Sequence, residues 1–291
     1  IVDESRIRLQ EPMSRHTTFR IGGMAEIFLM PPIKEAEDVI TLCRAKKIPY
    51  TIIGNGSNLL VGDKGYRGVI IQVYKNMNKI ETDGERVRAQ AGALLSRIAA
   101  SALEASLTGL EFASGIPGTL GGALRMNAGA YGGEMKQVVE CATVLTPPGE
   151  VLEIPVSDLG MSYRTSVIAK NDYVVLEAVL RLKKGNKEEI RALMDDLKVR
   201  RVTKQPLEYG SAGSTFKRPE GYFAGKLIQD SGLRGFRVGQ AQVSEKHCGF
   251  VINRGGATAA QVTELMEQVR ARVKERFGVE LEPEVKRIGE F

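Results

Sequence analysis

The sequence predicts an α+β fold divided into more than one compact unit, and three observations carry that reading. The chain has 291 residues, whereas single hydrophobic cores stop growing at about 250–300 residues and split into domains. Short β-branched runs bounded by Gly, Pro or Asn are interspersed with longer stretches of helical periodicity. The small-residue run Tyr209-Gly210-Ser211-Ala212-Gly213-Ser214 marks a shift in composition and predicts a flexible approach to a new unit.

In chain order, residues 26–30, 50–54, 69–73 and 87–91 read as strands. Residues 35–47 and 94–107 read as helices, the second presenting Leu94, Ile98, Ala102 and Leu103 on one side before Gly109. Residues 140–182 are strand-rich: Pro147-Pro148-Gly149 turns the chain between 142–145 and 151–154, and 173–182 is the longest candidate strand. Asn186 followed by Glu189 starts a helix whose buried stripe is Ile190, Leu193, Met194 and Leu197, ending near Lys204. Beyond the composition shift, residues 222–231 and 258–277 read as helices with a strand at 249–253 between them. The last helix opens with a Thr258/Gln261 capping box and stops at Gly278.

Composition excludes several classes. Hydrophobic residues at 43% and charged residues at 26% describe a globular chain. The apolar runs, such as Gly68-Val69-Ile70-Ile71, fall far short of the roughly 20 residues of a membrane helix. No secretory leader pattern is visible, so a soluble, cytoplasmic protein is expected. Cys43, Cys141 and Cys248 are odd in number and widely spaced, which suits neither a disulfide framework nor a zinc site, and two histidines do not make a metal cluster. The net charge of +6 is spread among acidic residues, so nucleic acid is not the expected partner; anionic small molecules fit local clusters such as Arg200, Arg201 and Lys204.

The candidate chemistry lies in loops. The strand at 50–54 runs into Gly54-Asn55-Gly56-Ser57-Asn58, whose amides can approach phosphate oxygens, although a tight structural turn reads the same residues equally well. It is not a dinucleotide fingerprint, because the third glycine is missing and residues 59–63 look extended where a helix is required. Ser114-Gly115-Ile116-Pro117-Gly118-Thr119-Leu120-Gly121-Gly122, followed by Asn127-Ala128-Gly129-Ala130-Tyr131-Gly132-Gly133, is a stronger element. So many glycines cost conformational entropy. A backbone pressed against a ligand explains them, with Pro117 at the lip of a short helix aiming N–H groups at an anion; a helix-packing seam is the alternative. Ser214 lies in a Gly-flanked turn, where most serines simply satisfy backbone. Glu282 and Glu284 flank Pro283 in an extended segment and point the same way unless the proline marks a kink, with a solvated edge strand as the plainer reading. Arg164, in Ser162-Tyr163-Arg164, is by itself an ordinary surface arginine.

Together and in order, His16-Thr17-Thr18-Phe19-Arg20-Ile21-Gly22-Gly23, residues 54–63, 114–133, Ser162-Tyr163-Arg164, 213–217 and 281–285 resemble the UDP-N-acetylenolpyruvoylglucosamine reductases, also called UDP-N-acetylmuramate dehydrogenases. These are flavoproteins of peptidoglycan synthesis. The resemblance implies an FAD-binding region of the vanillyl-alcohol-oxidase type, made of two α+β lobes, in residues 1–204 and completed by 281–291. A C-terminal α+β substrate domain would cover 205–280. It implies FAD bound without a covalent link, NADPH as reductant, UDP-N-acetylglucosamine enolpyruvate as substrate, and a monomer. The cofactor would be held by Gly54, Asn55, Gly56, Ser57 and Asn58, and by Ser114, Gly115, Ile116, Pro117, Gly118, Gly121, Gly122, Asn127 and Gly129. Ser214 would be the proton donor, Arg164 the cation at the substrate carboxylate and Glu284 its acidic partner. Arg201, Lys204, Lys217, Lys246 and His247 would meet the substrate.

The implied reaction passes a hydride from NADPH to the flavin and on to the enolpyruvyl double bond, with the proton coming from Ser214. The chain resembles the class without the tyrosine-bearing loop, since nothing between Tyr173 and Asn186 supplies it, and Arg218 stands where other members carry Asn. The competing readings are another flavin-dependent oxidoreductase of the same fold and a non-enzymatic nucleotide-sugar binding module.

Overall fold

The computed structural model describes residues 1–291, which divide into two compact units: residues 1–8, 28–55 and 69–201, and residues 9–27, 56–68 and 202–291. This division differs from the expected one. Residues 9–27, 56–68 and 281–291 all fall with the second unit, and the chain passes from one unit to the other in the last turn of a helix, ahead of the expected 204/205 boundary.

The first unit is built on a five-stranded antiparallel sheet in the order Val151–Pro155, Val139–Leu145, Val174–Arg181, Arg86–Gln90, Ile80–Asp83. The turn at 147–149 joins the first two of these strands. Val174–Arg181, the longest, is buried at six of its eight positions, because it lies mid-sheet with α3 (below) packed against it. Tyr50–Ile53 pairs in parallel with residues 69–72. Around these strands run helices α1 (Ile33–Ala45), α2 (Leu95–Glu104), α3 (Leu120–Arg125), α4 (Val167–Lys170) and α5 (Lys187–Lys204).

Helix α2 buries Leu95, Ile98, Ala99, Ala102 and Leu103. It stops earlier than expected, at a left-handed Ser106, and Leu107–Thr108 pairs as a short strand with Lys183–Lys184. In α5 only Ile190 and Leu197 are fully buried and Leu193 is exposed, so its apolar stripe is narrower than periodicity alone suggests. Burial raises the pKa of the free thiols Cys43, Cys141 and Cys248.

The second unit has a four-stranded antiparallel sheet in the order Gly210–Ser214, Phe250–Asn253, Ala241–Val243, Arg237–Val238, with helices α6 (Ala224–Asp230) and α7 (Ala259–Phe277). α7 buries Val262, Leu265, Met266, Val269 and Val273, spacings of three and four that keep them on one face. Its Thr258/Gln261 capping box is formed, and Gly278 ends it in the left-handed conformation. The stretch expected to be a flexible approach is instead the strand Gly210–Ser214. Its small residues serve close packing: a Cβ on Gly210 would fall 2.7 Å from the Phe19 carbonyl oxygen, and Thr18 Oγ1 donates to the Ser211 carbonyl at 2.7 Å. Leu59–Val61 is extended, as expected, and pairs in parallel with Lys286–Ile288. No helix is long and apolar enough to cross a membrane.

Candidate active site

In the second unit, the pairing of Gly210–Ser214 with Phe250–Asn253 shifts register between Ser211 and Ser214. Such a bulge re-aims the residue that follows it. Gly213 makes it with φ +77°, and a Cβ there would meet nothing within 4 Å, so glycine is needed for backbone conformation alone. The result is an exposed Ser214 on a firmly held strand end. Its neighbour Thr215, 1% exposed, donates its N–H to the Gly249 carbonyl at 2.9 Å and accepts from the Val251 N–H through Oγ1 at 2.8 Å. Sequence reading missed Thr215, because a buried threonine in a polar run carries no periodic signal.

The segment carrying Glu284 lies against this strand end. The Glu284 N–H donates to the Thr215 carbonyl (2.9 Å), the Lys217 N–H to the Glu282 carbonyl (2.8 Å), and Phe216 bridges Pro283. The two carboxylates do not share an environment as expected. Glu282 is exposed and ion-paired with the Lys217 ammonium, whereas Glu284 is 8% exposed; Pro283, bridged to Phe216, sits where strand alternation breaks. Asn58, expected at the cofactor, is spent on this segment: its amide donates to the Glu284 carbonyl at 3.2 Å, and its carbonyl accepts from the Lys286 N–H at 2.9 Å.

The remaining residues of the second unit are held by the protein itself. Gly56 has φ +63°, and a Cβ on it would lie 2.0 Å from the His16 carbonyl oxygen; the His16 ring pairs with Glu11 at 2.7 Å. His247 Nδ1 accepts from the Gly249 N–H at 3.0 Å, its ring stands edge-on to Phe250 with centroids 5.1 Å apart, and burial lowers its pKa. Lys246 Nζ donates to the Val202 carbonyl at 2.7 Å and has Glu208 3.9 Å away. Ser57 is half-buried, and Lys204 is exposed at the end of α5.

In the first unit, Arg164 is presented from an uncommon backbone conformation, φ +56°, in a two-residue turn closed by reciprocal bonds of 3.1 Å between Ser162 and Thr165. A non-glycine residue held there marks stored strain, which concentrates at functional sites. Its guanidinium lies 5.2 Å from the centroid of the exposed Tyr163 ring.

In the glycine-rich loop of this unit, part of the backbone is engaged by the protein itself. Leu120 and Gly121 N–H groups do not point at an anion: they donate to the Ala93 (2.9 Å) and Ala91 (2.8 Å) carbonyls. A Cβ on Gly121 would lie 3.1 Å from the Ala91 Cβ, and one on Gly54 would lie 2.1 Å from Thr119 Oγ1. Asn55 ties the two loops together, donating to the Pro117 carbonyl at 2.8 Å, and Ser114 Oγ turns back to the Glu111 carbonyl at 2.8 Å.

Asn127 and Gly129 belong to a hairpin, Gly129–Ala130 with Gly133–Glu134, whose Tyr131 and Gly132 both have positive φ, as a tight two-residue turn requires. The Asn127 side chain is consumed there, donating to Glu134 (2.8 Å) and accepting from the Lys136 N–H (3.0 Å). Many of these glycines thus press backbone against protein. Room remains at Gly122, where the nearest atom to an added Cβ is Thr119 Oγ1 at 3.7 Å; over Gly115 the close neighbour is the Arg201 side chain, 3.1 Å from such a Cβ. The N–H groups of Gly115 and Gly118 donate to no group of the protein, so this side of the loop fits an anionic group.

Comparison with known proteins shows the family. A profile described as an FAD binding domain matches residues 29–155, and one described as the C-terminal domain of UDP-N-acetylenolpyruvoylglucosamine reductase matches 205–288. The chain is 55% identical to the UDP-N-acetylenolpyruvoylglucosamine reductase of Agathobacter rectalis, over 97% of this chain and 93% of that one. It is 51% identical to the enzyme of the same name from Clostridioides difficile, over 100% and 96%. A crystal structure of the Thermus caldophilus reductase is 35% identical and superposes with a TM-score of 0.82, covering 97% of this chain and 98% of that one. With relatives of this identity along its whole length, the chain belongs to the UDP-N-acetylenolpyruvoylglucosamine reductase family.

Proposed function

We propose that this chain is the FAD-dependent enzyme that reduces the enolpyruvyl ether of UDP-N-acetylglucosamine enolpyruvate to UDP-N-acetylmuramate, with NADPH as reductant. The observation that carries the reading is the hydrogen-bonded pairing of Thr215 with Glu284, which sets an exposed hydroxyl beside a segment bearing a buried carboxyl, within the stretch matched by the reductase C-terminal profile. FAD, bound without a covalent link, supplies the hydride chemistry between NADPH and the enolpyruvyl double bond.

The chain's own residues have three tasks. Arg164 pairs with the substrate carboxylate and stabilises the negative charge that grows next to it, an effect strongest in a closed, water-poor site. Glu284 acts at the same carboxylate as a hydrogen-bond donor in its protonated form, since two carboxylates side by side repel. Ser214 delivers the proton to the carbon adjoining the carboxylate; its alcohol serves because a carbanion or enolate is more basic still. Lys217 is engaged with Glu282, so the alkoxide must find support from water or from the substrate. Lys204, Lys217, Lys246 and His247 line the substrate side, and residues 1–204, completed by 281–291, hold the cofactor, with 205–280 covering the substrate.

The test is one spectrum recorded in sequence on purified protein. The yellow flavin should bleach on NADPH and recover on adding the enolpyruvyl substrate, and acid should release free FAD. A colourless preparation would support a nucleotide-sugar binding module, and a flavin reduced by NADPH but not reoxidised by substrate would support another oxidoreductase.

A further inference from the structure

We infer that Arg201 is the counter-charge for the FAD pyrophosphate, held over Gly115, and not a substrate contact. The inference rests on the FAD reading above and begins with the register of α5. Ile190, Met194, Leu197 and Arg201 follow at steps of four, three and four, so Arg201 continues the inward stripe of that helix. Its neighbour Arg200 faces out and pairs with Asp196 at 2.7 Å. Arg201 turns in, and its side chain lies along Gly115, with Cδ 3.1 Å and a terminal nitrogen 3.5 Å from where a Cβ would stand. A side chain at 115 would crowd it, and the arginine would have to give by a few tenths of an ångström.

No carboxylate accompanies this guanidinium. Arg67 and Arg86, whose pKa values are raised, owe that to Glu26, Glu290 and Glu140. For Arg201 burial acts in the opposite direction, and Tyr131 is the sole ionisable group that counters it. A tyrosine is neutral near pH 7, so a desolvated cation is left without a formal negative charge nearby. Such an arrangement costs stability unless an anion completes it. The same loop offers two further donors, the N–H groups of Gly115 and Gly118, which meet no acceptor in the protein. A cation with two amides beside it matches a pyrophosphate diester, whose oxygens accept from all three and whose charge Arg pairs through its planar fork.

Both FAD and the UDP-sugar carry a pyrophosphate diester. The loop contact favours FAD, because Gly115 lies within the stretch matched by the FAD binding domain profile and Arg201 belongs to the same unit. The experiment separates the two sources. Apoprotein of Arg201→Met should bind FAD about 10- to 100-fold more weakly than wild type, the loss expected for a charge-assisted bond. Arg201→Lys should fall between, since it keeps charge but not the fork. With FAD saturating, KM for the enolpyruvyl substrate should stay within about twofold of wild type, a range that corresponds to well under one lost hydrogen bond. Unchanged FAD affinity, or a KM that rises while FAD affinity holds, overturns the inference and returns Arg201 to the substrate. Should Arg201→Met not fold, Arg201→Lys decides: weaker FAD binding is expected, and wild-type affinity overturns. A wild-type apoprotein that takes up no FAD would defeat the proposed function and this assignment with it, whereas wild-type uptake with unchanged affinity in the variants would defeat this assignment alone.

Discussion

Replacing Asp63 by alanine should destabilise the second unit by about 1–2 kcal/mol, the range of a lost helix cap. The figure comes from accounting for the N-terminal amides of α7. A helix leaves its first four N–H groups without intrahelical partners. Here the Ala259 N–H donates to Asp63 Oδ1 at 2.7 Å and the Ala260 N–H to Asp63 Oδ2 at 2.9 Å. The Gln261 N–H donates to Thr258 Oγ1 at 3.1 Å, and the Thr258 N–H to Gln261 Oε1 at 3.3 Å. All four are therefore satisfied, half of them by one carboxylate nearly 200 positions earlier in the chain.

Two bonds worth about 1 kcal/mol each would be lost, and because Asp63 is exposed, water recovers part of that. For a chain of this size the melting midpoint should drop about 2–3 °C. Asp63→Asn keeps one acceptor and should lose about half as much. Denaturant titration gives the stability, and hydrogen exchange at Ala259 and Ala260 should quicken more than at the centre of the helix. Equal stability of Asp63→Ala and wild type, or uniform acceleration along α7, would refute the capping argument.

Three further outcomes are expected. Ser214→Ala should retain FAD and be reduced by NADPH at a near-normal rate, while stopped-flow reoxidation by substrate slows about 100-fold or more, the usual worth of a positioned general acid; wild-type reoxidation would show that the proton comes from elsewhere. Arg164→Ala and Glu284→Ala should slow the same half-reaction about 100- to 1,000-fold, with Glu284→Gln milder than Glu284→Ala because an amide still donates, and an equal fall in both half-reactions would make these residues structural. Burial lowers the His247 pKa below its ordinary 6.5, so below that pH the unfolded chain takes up a proton the folded one refuses. Stability is therefore complete above about pH 6.5 and is lost as pH falls from there toward the lowered native value. His247→Gln should flatten that acid limb in denaturation curves, and an NMR titration midpoint at or above 6.5 would contradict the assignment.

Local signals in the sequence carried much of the fold. The Thr258/Gln261 box and Gly278 frame α7 as expected, and the strand at Phe250–Asn253 and the hairpin turn at 147–149 lie where composition puts them. Each is settled within a few residues, by capping, by φ preference or by hydrophobic period. The ordered motifs likewise named the family, which relatives 51–55% identical over nearly the whole chain show.

What the residues did not reveal depends on partners distant in the chain. Gly210 and Gly56 read as flexible or ligand-facing, yet each makes room for a backbone far along the sequence, at Phe19 and His16. Asn58 read as a phosphate-loop residue, but its amide is taken by the Glu284 carbonyl, 226 positions away. Glu282 and Glu284 look alike on paper, yet with the segment held against residues 215–217 one is exposed and the other buried. Arg201 stands in a row of basic residues, and the turn of α5 alone decides that it faces the glycine loop while Arg200 faces water. By itself the sequence determined most of the helices, several of the strands and the family they compose, because those follow from local backbone and period, whereas the strand Gly210–Ser214 did not show in it. Tertiary structure decided which polar groups remain for a ligand, because a hydrogen bond or a close backbone approach is claimed by whichever partner folding brings within 3 Å or so.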